Sequence, residues 1–202
     1  MLDTIDELNA YKFISETNTG NNNYYHNFMH LFNVYNACKT INKRIIFFNV
    51  KDFRYLNELY IAALFHDYNH VGKQGDDSIN IQAAYDGVDN FFEIYNCKLD
   101  KQIIKKFISY TEFPYTVESK DIPMYGKIIR DADMFSLFQD ECLIQNYYGL
   151  RKEWNMEMKE FLDKQKGFIE NIKWNIDFLQ DLWVTKQKEI NLGLINNLYQ
   201  IS

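Results

Sequence analysis

Proline occurs only twice in this 202-residue chain, at Pro114 and Pro123, and glycine only eight times. So few backbone breakers argue against a turn-rich β architecture and for long helices. Cysteine is equally sparse. Cys38, Cys97 and Cys142 are odd in number, widely spaced and without a C-x-x-C pair. That pattern reads as buried thiols in a reducing compartment rather than a disulfide framework. No stretch approaches the ~18 consecutive apolar residues of a membrane span. The opening residues 1–7 are acidic and lack the apolar centre of a signal peptide. The expectation is a soluble, cytoplasmic protein with no membrane partner.

Positive charge is also in short supply, with 22 Lys and Arg against 28 Asp and Glu, a formal net charge of -6. Binding a nucleic-acid polymer takes a basic face that displaces counterions, and no dense basic run is present. The most charged stretch, 151–189, balances eight basic residues with eight acidic ones and reads as a solvated helix surface. A small anionic substrate stays open, because a bound metal can supply positive charge locally.

What is abundant is apolar and aromatic: 47% hydrophobic residues, with 16 Phe and 15 Tyr. Such a chain has ample material for one folded core. Helical periodicity predicts helices over about 3–16, 27–41, 53–67, 78–95, from Asp100 as an N-cap, and from Met124 through Asp131 and Asp133. The remainder predicts two or three amphipathic helices with a break near Gly167. The run Ile45-Ile46-Phe47-Phe48 could form a strand but has no partner sheet. The expected architecture is a single all-α domain over 1–202.

All four histidines fall in two short clusters, Tyr25-His26-Asn27-Phe28-Met29-His30 and His66-Asp67-Tyr68-Asn69-His70. His26 and His30 are four apart, as are His66 and His70, so each pair on a helix would share a face. Imidazole and carboxylate oxygen are ligands that divalent metals such as zinc favour. A carboxylate at the C-terminal end of a helix, where Asp67 is expected, is electrostatically misplaced unless a cation accompanies it.

With Ala62-Ala63-Leu64-Phe65 before the second cluster and Gly72 after it, these motifs resemble the His-Asp ("HD") superfamily of phosphohydrolases. Their wording, Y-H-N-x-x-H then H-D-x-x-H-x-G, is closest to the cyclic-nucleotide phosphodiesterases. Ile129-Arg130-Asp131-Ala132-Asp133-Met134 matches the superfamily's downstream Asp. That segment and Tyr147 to Trp154 are also similar to small bacterial HD hydrolases. The resemblance covers about 24–155, leaving 156–202 as a helical extension.

The resemblance implies one HD-type helical domain with a metal site between its central helices. It implies His30, His66, Asp67 and Asp133 as ligands, with Asp67 bridging to a second ion and His70 ordering water around it. The metal would be one or two divalent ions, Mn, Fe, Zn, Ni, Co or Mg. His26 matches the residue that protonates the leaving oxygen, and Tyr25 and Asn27 would support the site. The implied partner is a small phosphorylated substrate, a nucleotide. The alternatives are a phosphatase on another phosphorylated metabolite, or a non-catalytic metal or nucleotide sensor.

Asp131 and Asp133 cannot both face one ion from a regular helix, since residues two apart point about 200° apart. The Ala-Asp order favours Asp133, which leaves Asp131 behind the ligands or in solvent. The sequence departs from the family between the second cluster and Asp133, where further histidines are absent and Glu112 stands instead. The phosphodiesterases' glutamine and aromatic clamp is not located among Gln139, Gln145, Gln180 and Phe178.

Overall fold

The computed structural model describes residues 4–47 and 54–201, and its described residues are helical with no strand. In chain order the helices are α1 (Ile5–Thr17), α2 (Phe28–Phe47), α3 (Leu56–Phe65), α4 (Ser78–Tyr95), α5 (Lys101–Ile108) and α6 (Met124–Asp133). They are followed by α7 (Asp140–Glu153), α8 (Met158–Asn171), α9 (Asp177–Leu182) and α10 (Lys188–Ile201). A π turn over Trp183–Gln187 joins the last two.

α3 is the hub. Leu59, Ile61, Ala62, Ala63, Leu64 and Phe65 have no solvent exposure, and a helix apolar on every side must be enclosed. α1, α2, α4, α5 and α6 pack around it, while α8 and α10 pair in a second layer. Because α3 is buried from Ile61 to Phe65, its C-terminal end opens inside the protein rather than at the surface. α1 and α2 are joined by a buried carboxylate, Glu7, which accepts from Tyr35 Oη at 2.6 Å and Lys39 Nζ at 3.2 Å. No helix among the described residues is long and apolar enough to cross a membrane.

Most expected elements are present, and the differences have physical causes. Asp100 caps α5 as expected, accepting from the amides of Gln102 and Ile103. Ile45, Ile46 and Phe47 continue α2 rather than forming a strand, and Phe48 lies outside the described residues. No break falls at Gly167, which sits inside α8. The chain turns instead at 154–157, where Asn155 adopts a left-handed φ of 50°, and at 172–176.

The second turn is held by Asp131. This carboxylate has no solvent exposure and accepts from Asn175 N at 3.0 Å, Asn175 Nδ2 at 2.6 Å and Ile176 N at 2.9 Å. Burial pushes its carboxyl up to about 6 even with these donors in place. Asp131 is therefore neither in solvent nor behind the ligands; it fastens α6 to the segment that starts α9. Its neighbour Arg130 is also buried and binds the carbonyls of Tyr110 (2.6 Å) and Val117 (2.8 Å), fixing the loop before α6.

Asp131→Ala leaves these donors unpaired and should lower stability by about 1–3 kcal/mol. Urea unfolding of the variant beside the native chain checks this, and an unchanged midpoint would show that the tether carries no load.

Candidate metal centre

The site forms where three helix ends meet. His30 lies in the first turn of α2, His66 caps the C-terminal end of α3 with Asp67 immediately after it, and Asp133 is the last residue of α6. Their ligand atoms all lie within 4.8 Å of one another. His30 Nε2 is 3.2 Å from each of His66 Nε2, Asp67 Oδ2 and Asp133 Oδ1. His66 Nε2 is 3.2 Å from Asp67 Oδ2 and 3.4 Å from Asp133 Oδ1. Donors bound at ~2.0–2.2 Å to a single ion stand ~3–3.5 Å apart at tetrahedral or octahedral angles. The spacing is that of a coordination shell.

The tautomers agree. His66 Nδ1 donates to the Ala63 carbonyl at 2.9 Å, which puts the proton there and turns the bare Nε2 inward. Two Nε2 atoms facing each other beside two carboxylates need a proton or a cation between them. Burial opposes charge on His30 and His66, but Asp67 and Asp133 outweigh it and hold both imidazoles above their ordinary value, His66 well above. Both carboxyls are held below theirs against burial, by hydrogen bonds and charge from the same imidazoles. The donor set therefore fits a divalent ion.

The other two histidines form a group of their own. α2 starts at Phe28, so His26 precedes the helix, and His70 follows the turn after α3. The four-residue spacing thus does not place either pair on one helical face, as the sequence led us to expect. It splits each motif, sending His30 and His66 to the metal group and His26 and His70 to a second group with Glu153. Their rings stack with centroids 3.8 Å apart.

Glu153 is the residue the sequence reading did not single out. At the end of α7, it pairs through Oε1 with His26 Nδ1. Its Oε2 accepts from the backbone amides of Tyr25 (2.8 Å) and His26 (3.1 Å). This leaves His26 Nε2 for the adjoining cavity. α7 comes this close because residue 149 is glycine: a Cβ there would sit 2.8 Å from the Tyr24 carbonyl oxygen. His70 Nδ1 accepts from Gly72 N at 3.0 Å. Burial, with His26 adding to it, holds His70 down at about 4, so it is neutral at physiological pH. His70 thus stands beside the four-donor group rather than within it, and Glu112 belongs to neither.

The Asn/Gly-rich loop after α1 holds the two motifs together. Asn23 Nδ2 donates to both the His26 carbonyl (3.1 Å) and the His70 carbonyl (2.8 Å). Asn69, at a left-handed φ of 57°, accepts from Thr19 N at 2.7 Å and donates its own amide to Asn18 Oδ1 at 2.8 Å. Asn27 accepts from the Met29 amide at 2.9 Å and so starts α2. Tyr25 is a buried phenol, pushed above its usual value by burial and Asp133.

Both groups open into one cavity of about 590 Å³. Its far wall carries Leu150, Trp154, Gln165 and Phe168, and Lys73 and Lys164 also line it. Gln165 is 8% exposed. Of the residues considered for a clamp, Gln180 is committed to the Trp174 amide at 2.9 Å, and Phe178 lines a different cavity. Scans against family models, curated proteins and solved structures find no match to this chain.

Metal content should vanish in Asp67→Ala and fall in Asp133→Asn by more than the ~10–100-fold typical of a change behind a ligand. Asp131→Asn should keep most of its metal. Elemental analysis and metal titration read all three, and a reversed order of Asp131 and Asp133 would transfer the ligand role. An entering ion must also displace protons held at His30 and His66, so affinity should rise with pH and protons should be released on binding. Titrations at pH 6 and 8 check the sign.

Proposed function

We propose that this chain is a metal-dependent phosphohydrolase of the HD superfamily that cleaves a phosphoester bond in a small nucleotide. One observation carries the reading. A four-donor metal group and a carboxylate-held imidazole lie side by side on a single cavity, with the His26 and His30 ring centroids 5.5 Å apart. A metal site built only for structure has no use for an oriented acid next to it.

An ion held by His30, His66, Asp67 and Asp133 supplies Lewis acidity, activating water and offsetting the charge that gathers on phosphate oxygens. The chain's own residues do the rest. His26, protonated, donates from Nε2 to the leaving oxygen, while Glu153 at Nδ1 holds the ring's tautomer and orientation. His70, kept neutral, covers one face of that ring without placing a second cation beside it. The two backbone donors to Glu153 lock this acid to the start of α2.

The cavity is much larger than a phosphate. Trp154 and Phe168 offer flat apolar faces for a base. The Gln165 amide, buried in this wall, can both donate and accept along a base edge. These residues favour a nucleotide over a smaller phosphorylated metabolite. Screening the metal-loaded protein against cyclic and linear nucleotides tests the reading. Turnover of non-nucleotide phosphoesters alone would make the chain a general phosphatase, and binding without turnover would make it a sensor.

His26→Ala should keep its metal and fold but lose ~10²–10⁴ in turnover of a nucleotide ester, whose alkoxide leaves poorly without a proton. A nitrophenyl phosphoester, whose leaving group needs no proton, should lose far less. Equal losses on the two esters, with chemistry rate-limiting, would remove His26 from the acid's position. Glu153→Gln should weaken the same step with little change in KM, and its loss should likewise shrink with the nitrophenyl ester.

A further inference from the structure

Away from the metal centre, a second cavity of about 270 Å³ opens between α2, the turn after α6, α9 and the π turn. Its charged lining is Arg44 and Lys186 alone, with no carboxylate in the wall. In a chain of net charge -6 that is a local reversal of sign. Among the described residues neither cation has a carboxylate partner; Arg44 lies over the Phe178 ring at 5.6 Å. Phe135, Phe138 and Phe178 form the apolar part of the wall.

The polar groups around the cavity are unmatched in one direction. Gln187 belongs to the lining, is 6% exposed, and its Nε2 has no acceptor among the described residues. Trp174 and Trp183 lie behind Phe138 and outside the lining itself, with ring centroids 4.5 and 5.8 Å from it. Unpaired buried donors are uncommon and call for an explanation. Gln187 sits in the π turn, a helix irregularity found more often at functional sites than elsewhere. Cations without anions, a buried donor without an acceptor and three phenyl rings describe the complement of one kind of molecule.

We propose that this cavity is a second ligand site, for a small aromatic molecule bearing a phosphate, sulfonate or carboxylate group. The anion would lie between Arg44 and Lys186 at the mouth and the ring between the phenylalanines. The volume limits the body to about one or two fused rings. Phe135 also lines the small cavity that reaches Asp133 from behind, so a ligand here is one side chain from the metal group's surroundings. The proposal does not depend on the chain being a hydrolase.

The test uses 1-naphthalenesulfonate as the probe and the indole N–H resonances of the intact, metal-loaded protein as the readout. Trp154 lines the metal cavity, and Trp174 and Trp183 lie beside the second one, so the chain's three tryptophans report which cavity is filled. Saturable shifts are expected at Trp174 and Trp183, with Trp154 unmoved. Arg44→Glu with Lys186→Glu, both at exposed positions, should raise Kd roughly tenfold or more through like-charge repulsion. Unfolding of the double variant, measured alongside, separates lost binding from lost fold, and Lys186→Gln alone should give an intermediate Kd. No saturable shift at Trp174 and Trp183 would overturn the proposal. So would equal affinity in the folded double variant, or equal affinity for uncharged 1-naphthalenemethanol, which would make the cavity an apolar cleft.

Discussion

The burial of two imidazoles and two carboxylates at one point is the constraint to which the rest of this structure answers. His30, His66, Asp67 and Asp133 meet at 3.2–3.4 Å with little solvent between them. Taking such groups out of water is costly unless protons or a cation hold them together in a fixed geometry. The protein therefore buries the last turns of α3 and anchors the helices that bring the other donors. Asp131 fastens α6 from behind, Arg130 ties down the loop before it, and Asn27 caps the start of α2. These bonds lie outside the donor cluster and fix the helices that carry it.

The division of the four histidines follows from helix ends, not helix faces. Within a regular helix the i,i+4 spacing would have aimed both members of a pair at the same ion. Here α2 begins two residues after His26 and α3 ends before His66, so one histidine of each motif escapes the helix direction. The two that escape stack on each other and meet a carboxylate from α7. One motif spacing thus yields two chemically different environments: a set of bare nitrogens around a cation position, and an imidazole whose orientation is set by a carboxylate.

Much of this was legible in the residues. The scarcity of Pro and Gly, with 3.6-residue periodicity, indicated an all-helical chain. The histidine clusters alone pointed to a metal, and the particular residues of the group could be named from the resemblance of these motifs to the HD superfamily. Glu153 was not legible: one of eight acids in a balanced charged stretch, it is distinguished only by where α7 packs. Asp131 was misplaced because a helical wheel shows which way a residue points but not what will cover that face. The break assigned to Gly167 failed for a related reason, since a glycine on an exposed helix face costs little and interrupts nothing.

Gly149 makes the orientation of His26 depend on a residue that touches neither histidine group. Its missing side chain lets α7 lie against the Tyr24 carbonyl, and Glu153 follows one helical turn later on the same face. The quartet is complete by residue 133, whereas the partner of His26 arrives only at the end of the next helix. A side chain at residue 149 would therefore disturb the setting of His26 while leaving the four-donor group itself untouched.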